Sequence, residues 1–583
     1  MSDDKKPVYS AQKGKRGRKS KADGPSILKR QRPLNRFEME QPSENVDTSA
    51  KKLSANNSDD IEVNPSVGYR MIDFLTVFTA ISQVVVCKKC KSDVEFTETG
   101  NRGLGFKIVI TCKECDKVFV PSCSFIDKAY EINRRIILAM RLIGVGLHGI
   151  HKFCAFMDLP RPIFHSFYDS VVKCIHGGAE IICEQSMKRA AQEEKGKTDE
   201  SSNSGGIAVS GDGSWRKREF SSLFGFVSLI GWKTGKVVDV SVKCKYCKAC
   251  EFWKTKEGTA KYEEWLETHA DECQANHEGS SGLMEVNAVC EMFQRSESLH
   301  NLKYTSYIGD GDSKTYTGIV NSSPYGDSIV QKKECIDHVQ KRMGTHLRNL
   351  KKKTKGLGGK GKLTGKLIDE LSIYYGLAIR RNHESVEKMR TAIYATLDHK
   401  LSTDAKPKHD HCPSGENSWC SWQRAKATGT LDEYTHKPPL HEEVYKAITP
   451  IYEKLTSDDL LTRCIGGFTQ NSNESFNATV WSMAPKVTSS GKNVLDTAVY
   501  IAAGTYNDGL TSAMRVMQNI GIKIGPNCYN YCQETDQNRI KLSDRSLSDA
   551  ARRSRIEQKA SRKEEDEFHV SMEGEMYGAG IAD

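Results

Sequence analysis

The sequence predicts an α/β fold, and three patterns carry that reading. Strand-like runs at Ile207–Gly211, Ser221–Trp232 and Lys236–Lys245 are separated by Asp-Gly and Lys-Thr-Gly steps, which are hairpin signals. Helical apolar spacing runs through Tyr130–Leu142, is interrupted at Gly144 and Gly146, and resumes over Phe167–Ala191. Farther on, residues 341–465 alternate basic and helical patterns, and residues 540–568 read as a charged helix.

Length and charge bound the class. A chain of 583 residues has room for about three or four domains. The first residues carry no apolar stretch, and no apolar run approaches the ~18 residues a membrane helix needs, so no secretory leader or membrane span is expected. The formal charge of +10 is concentrated: residues 1–36 hold 12 Lys/Arg against 3 acids, and residues 341–366 hold 10 Lys/Arg and none. Two dense basic segments on a mildly acidic body point to a polyanion partner. Lys13–Lys21 with Lys29, Arg30 and Arg32 resemble a bipartite nuclear import signal, so the nucleus is the expected compartment. Arg16-Gly17-Arg18 resembles an AT-hook core reaching into a minor groove. Arg348, Lys351, Lys352 and Lys353 are candidate phosphate contacts.

Nineteen cysteines in a reducing compartment read as metal ligands before disulfides. Cys87-x2-Cys90 and Cys112-x2-Cys115, with 21 residues between the pairs, have zinc-ribbon spacing. Cys247-x2-Cys250 with His269-x3-Cys273 gives three thiolates and an imidazole. Residues 265–273 can be helical, which puts His269 and Cys273 on one face; Cys244 and His277 are the substitutes for a neighbouring ligand. His409, His411, Cys412 and Cys420 form an irregular third group.

Three acidic motifs remain. Asp212 ends the first strand of the expected meander, Asp310 and Asp312 follow the strand-like run Tyr304–Ile308, and Glu474 opens a helical segment reaching Trp481. Singly, Asp-Gly marks a turn and Asn/Ser-x-x-Glu caps a helix. Together they suit in-line phosphodiester chemistry, which needs hard cations bridged by carboxylate oxygens.

The strings VSGDGSWRKREFSSLFGFVSLIGWKTGKVVDV, YIGDGDSKTY, Cys335-x2-His338 before a basic helix, Ser418-Trp419-Cys420 and TQNSNESFNATVWSMAPK resemble the Mutator-like transposase domain, from about Cys87 to about Asn530. The resemblance implies an RNase H-like mixed five-stranded sheet with a zinc-binding insertion at about 243–281 and a helical insertion at about 355–465. A basic tail (1–66), expected to be disordered, would precede a zinc ribbon (67–128) and a helical DNA-binding segment (129–200). The core would run over 201–500 and a helical, then disordered, tail over 501–583. It further implies a DDE transposase acting with Mg²⁺ or Mn²⁺ on terminal-repeat and target DNA, as a homo-oligomer, with zinc in structural roles. Asp212 matches the first acid, Asp312 or Asp310 the second and Glu474 the third, with Cys335 and His338 beside them.

Overall fold

The N-terminal cysteine pairs sit on a small antiparallel sheet. The computed structural model describes residues 49–53, 58–161, 163–200, 205–217, 222–309, 313–359, 361–487 and 491–548, with a few residues beyond. Every element below belongs to one unit, residues 36–547; residues 1–35 and 548–583 form the other. Arg16, Arg18, Asp310 and Asp312 lie outside the described residues. Among those that are described, no single helix is long and apolar enough to cross a membrane.

Chain packing begins before residue 67. Helix α1 (Ser49–Leu53) buries Lys52, whose ammonium donates to the Tyr506 hydroxyl at 2.8 Å, and Ile61 joins a core cluster. Asp73 caps α2 (Phe74–Ser82) by accepting from the Thr76 amide. Strands β1 (Val94–Arg102), β2 (Gly105–Cys112) and β3 (Val118–Pro121) then form the antiparallel sheet, in the order β1-β2-β3. A two-residue hairpin, β4 (Phe125–Ile126) and β5 (Ala129–Tyr130), leads to helices α3 (Glu131–Leu142) and α4 (Leu147–Phe156).

Helix α5 (His165–Asp199) is 35 residues long, and it is a core element. Val171, Val172, Ile175 and Ala179 enter one apolar cluster, and Cys183 and Met187 enter another with strand residues. Its Glu194 carboxylate, fully buried, accepts the backbone amides of Lys233 and Thr234 at 2.7 Å each, pinning the Lys-Thr-Gly turn. Gly235 closes that turn at φ 65°, a left-handed conformation that favours glycine.

The main sheet comprises β6 (Ile207–Trp215), β7 (Phe224–Gly231), β8 (Val237–Cys244), β9 (Tyr304–Gly309) and β10 (Gln331–Glu334). Its order is β10-β9-β6-β7-β8: an antiparallel meander β6-β7-β8, with β9 parallel to β6 and β10 parallel to β9. Strands β7 and β8 are buried at every position, because helices cover both faces; β7 is almost wholly apolar, whereas β8 alternates valines with Asp239, Ser241 and Lys243, and Asp239 and Lys243 are paired with Arg295 and Glu291. Between β8 and β9 lie α6 (Lys248–Lys254), α7 (Ala260–His269) and α8 (Ser281–His300). Met284, Ala288, Val289, Met292 and Phe293 of α8 pack on the face made by Ile207, Val209, Val227 and Leu229. Helix α9 (Ser313–Ser322) separates β9 from β10.

After β10 the chain builds a helical body with its own core. Helices α10 (Ile336–Lys353), α11 (Gly365–Arg381), α12 (Val386–Leu401), α13 (Ser421–Ala427), α14 (Glu442–Leu455) and α15 (Asp458–Cys464) follow in order. Ile336, Val339, Met343 and Leu347 of α10 meet Leu371, Tyr375, Ile393, Ile448, Tyr452 and Leu461 in one cluster. Helices α16 (Asn471–Met483) and α17 (Lys492–Asp508) return to the sheet, followed by α18 (Thr511–Asn519) and α19 (Pro526–Leu547). Phe476, Val480, Val499 and Ala502 pack on Phe226, Val240 and Val242. Helix α17 runs unbroken across residue 500, so that expected boundary falls inside a packed helix.

Candidate active site and metal centres

Strand alternation decides which way Asp212 faces. Side chains at 210, 212 and 214 share one side of β6, and they pair with Ile230, Ser228 and Phe226 of β7. Helix α16 docks on that side through a polar stripe of period 3.6. The Gln470 side-chain amide, just before the helix, donates to the Gly211 carbonyl at 2.6 Å. Fully buried Asn473 donates to the Ser210 carbonyl (3.1 Å) and to the Ser228 hydroxyl (3.3 Å), and accepts from the Ser210 hydroxyl (2.8 Å). Asn477 donates to Asp212 Oδ2 at 2.7 Å, and Trp481 Nε1 to Ser214 Oγ at 2.7 Å. Glu474 lies one turn before Asn477 on the same helical face and is exposed. Residues as far apart in the chain as Ser210 and Trp481 are thus gathered on one face of β6; Asp212 lies inside this strand, which runs on to Trp215, and not at its end as the sequence suggested.

Asn473→Ala should destabilise this junction by about 3 kcal/mol, since a buried amide is lost and the serines facing it go unpaired. Thermal unfolding followed by tryptophan fluorescence should show a clearly lower midpoint; an unchanged midpoint would mean that Asn473 does not hold the helix.

Cys335 joins the other strands to the same helix. Its amide donates to the carbonyl of Gly309, the last residue of β9, and the next amide, of Ile336, donates to the Phe468 carbonyl at 2.9 Å. Burial pushes the Cys335 thiol up, partly offset by the backbone amides of His338, Asp337 and Gln470 that lie against the sulfur. His338 opens a cleft of about 250 Å³ that it lines with Lys341, Arg342, Thr345 and His346. Buried Nδ1 of His338, Oε1 of Gln470 and Oδ1 of Asn477 have no hydrogen-bond partner among the described residues. Burial, followed by the charges of Lys454 and Arg342, pushes His346 below its ordinary value. Arg342 is itself paired with buried Glu334 at 2.5 Å.

Among the described residues, cysteine and histidine side chains converge at three places. Cys87 and Cys90 lie ahead of β1, where the Val86–Asp93 bridge and the amide of Cys87 donating to the Ser92 carbonyl form a knuckle. Cys112 and Cys115 leave the end of β2, with Cys87–Cys115 and Cys90–Cys112 sulfurs 3.8 and 3.7 Å apart. The Ser92 hydroxyl, with its amide, lowers Cys90 to about 6, whereas Cys115 is pushed up to about 12 by the neighbouring thiol of Cys112.

At the second place, His269 Nε2 stands 3.4 Å from Cys247 Sγ and 3.2 Å from Cys250 Sγ, and Cys250 is 3.5 Å from Cys273. The helix ends at His269 and turns through a short 3₁₀ segment (Ala270–Glu272), so Cys273 approaches from an extended residue instead of the same helical face. Trp265 stacks on His269 at 4.3 Å and on Trp253 at 5.1 Å, fixing the imidazole. Cys244 bonds the Tyr246 carbonyl and His277 contacts Ser280 and Asn287, so neither substitutes for a ligand. The third group is His399, His409, Cys412 and Cys420. His411 is not in it; that imidazole is exposed and lies 3.5 Å from Asp398.

The family model described as Mutator-like transposase matches residues 68–420. The chain belongs to the Mutator-like transposase family. Neither a curated protein nor a solved structure matches it. In this Mutator-like chain the matched span holds Asp212, Cys335, His338 and all three Cys/His groups, and stops short of Glu474 and the helix that carries it. The family assignment makes a transposase-related activity the coarse function.

Of the basic residues singled out in the sequence of this Mutator-like protein, Arg348 is tied to Asp369 at 2.7 Å. Lys351, Lys352 and Lys353 form the last turn of α10, where positive charge suits the helix dipole. Sequence reading passed over His399, Gln470, Asn473 and Asn477. The signal for the last three was the Gln-x2-Asn-x3-Asn spacing, a polar stripe running beside the apolar stripe of Phe476 and Val480 on the buried side of the helix.

Proposed function

We propose that the protein is a DDE-type transposase that binds transposon-end DNA and catalyses divalent-metal-dependent strand cleavage and transfer on an RNase H-like core. The observation that carries the reading is the 2.7 Å bond from Asn477 to Asp212. It seats the Glu474 helix on the strand that bears the first acid. The sheet supports the fold, since a mixed five-stranded sheet is what the family resemblance implies. The second acid, Asp310 or Asp312, follows directly on Gly309, whose carbonyl Cys335 engages.

Carboxylates and the amide oxygens of Gln470 and Asn477, which have no partner among the described residues, are hard donors, and they fit Mg²⁺ or Mn²⁺. Such ions, when bound, supply Lewis acidity and an activated water or 3′-hydroxyl. Asp212 and Glu474, with the acid after β9, would hold them, and Asn477 would keep the Asp212 carboxylate aimed. His338 would orient a phosphate, and the Lys341, Arg342 and Thr345 side of the cleft would receive the backbone leading away from it. Zinc at the first two cysteine groups would shape the modules flanking the core. The basic segments at 13–21 and 29–32 would direct the chain to the nucleus.

Purified full-length protein with end-containing duplex DNA and Mg²⁺ tests the reading: cleaved ends and joined products are expected. Cleavage without joining would make it a nuclease, and binding without either would make it a domesticated DNA-binding protein; both outcomes overturn the proposal. Replacing Lys351, Lys352 and Lys353 with Gln should weaken binding to all sequences and reduce the log–log salt slope by up to about 3. A salt titration that leaves the slope unchanged would remove these lysines from the interface.

A further inference from the structure

We propose that His399, His409, Cys412 and Cys420 hold a third zinc ion, and that this ion supplies the core on which residues 402–441 fold. The four donor atoms lie within 4.8 Å of one another. A tetrahedral zinc with bonds of about 2.3 Å to sulfur and 2.0 Å to nitrogen separates its ligands by roughly 3.3 to 3.8 Å. His409 Nδ1 stands 3.3 Å from Cys420 Sγ and 3.8 Å from Cys412 Sγ, while His399 Nδ1 stands 3.5 and 4.0 Å from the same two sulfurs. Both imidazoles therefore present Nδ1 to one point between two thiols.

The outward nitrogen of His409 is supported as a metal ligand's should be. Its Nε2 meets Ser402 Oγ at 2.8 Å and His436 Nε2 at 3.0 Å, and His436 Nδ1 meets the Asp404 carboxylate at 2.6 Å. A carboxylate–histidine chain thus fixes the ring from the side opposite the sulfurs. Trp422 stacks on His409 at 4.8 Å, and Trp419 lies against His399 at 5.1 Å.

The folding role follows from what the segment lacks. No residue from 402 to 439 belongs to the apolar cluster of the helical body. What the segment does bury is Ser402, His409, Cys412, Ser418, Cys420 and Ala425. Forty residues of mostly exposed chain have, in place of an apolar interior, three of the four donors, two thiols and an imidazole, which is the architecture of domains that fold only with metal. His399, two residues before the end of α12, would anchor the ion to the helical body.

Full-length protein, expressed with zinc and purified without chelator, should contain three zinc ions per chain by elemental analysis. The Cys412→Ser, Cys420→Ser double variant should contain two, and His411→Ala should retain three. His436→Gln should retain three but release one at least about 10-fold faster to a chelator, because the outer shell is lost. In the wild-type protein, loss of that ion should erase hydrogen-exchange protection across 402–441 while the 224–244 strands stay protected. This last measurement covers the case in which the double variant fails to fold. Two ions in the wild type, three in the double variant, two in His411→Ala, or unchanged protection after release would each overturn the proposal.

Discussion

Asp212→Asn is expected to abolish Mg²⁺-dependent strand cleavage, with a loss of at least about 10³-fold, while DNA affinity stays within about twofold. The substitution keeps the size of the side chain, and the Asn477 amide still has an oxygen to donate to, so α16 should remain docked. What disappears is the negative charge that a hard cation requires. Glu474→Gln should behave alike, because Glu474 stands on an exposed position and contributes nothing to the core clusters. Asp310→Asn and Asp312→Asn, assayed side by side, should divide sharply: the one that silences cleavage is the second acid. Cleavage that survives Asp212→Asn would remove the metal-carboxylate mechanism and leave the family assignment standing.

The second large effect is on the zinc ribbon. Cys87→Ser with Cys112→Ser should lower the zinc content by one equivalent and unfold the module built on β1–β3. Structural zinc in small modules contributes on the order of 10 kcal/mol or more, and little here could compensate for it. Val118, Phe119 and Val120 of β3 are exposed, and Val94 and Val109 are the buried apolar side chains of the three strands. Limited proteolysis should cut between residues 87 and 121 in the variant and spare the same stretch in the wild type. Resistance to cleavage, with zinc lost, would show that the sheet stands without its ion. Acidification should mimic the variant, since protons compete with zinc for the same sulfurs.

Local chemistry made part of this molecule readable in advance. The Lys-Thr-Gly turn, the strand-like runs that became β7 and β8, and the paired C-x2-C knuckles each encode their geometry within a few residues. The α5 helix was harder, because its apolar spacing predicts a helix without saying what it packs on. An expected separate helical segment proved to be a 35-residue strut in the core. The third metal group was half legible: Cys412 and Cys420 share a short stretch with His409, but His399 arrives from a helix end ten residues upstream, where the nearer His411 made the stronger claim. The polar stripe of α16 was legible only as a cap, since nothing local announces that Asn473 will sit between Ser210 and Ser228 more than 240 residues away.

Chain order has a consequence for biosynthesis. The meander is complete at Cys244, yet the helices that cover the Phe226, Val240 and Val242 side begin at Asn471. At about 5–20 residues per second of synthesis, the ribosome needs on the order of 10 to 45 seconds to deliver them. During that delay α5 alone, through Cys183 and Met187, shields this side of the nascent sheet. The helical body made in between has its own apolar centre and can fold as it emerges. The sheet therefore closes late, and the nascent chain is expected to need a holding chaperone while residues 245–470 are being added.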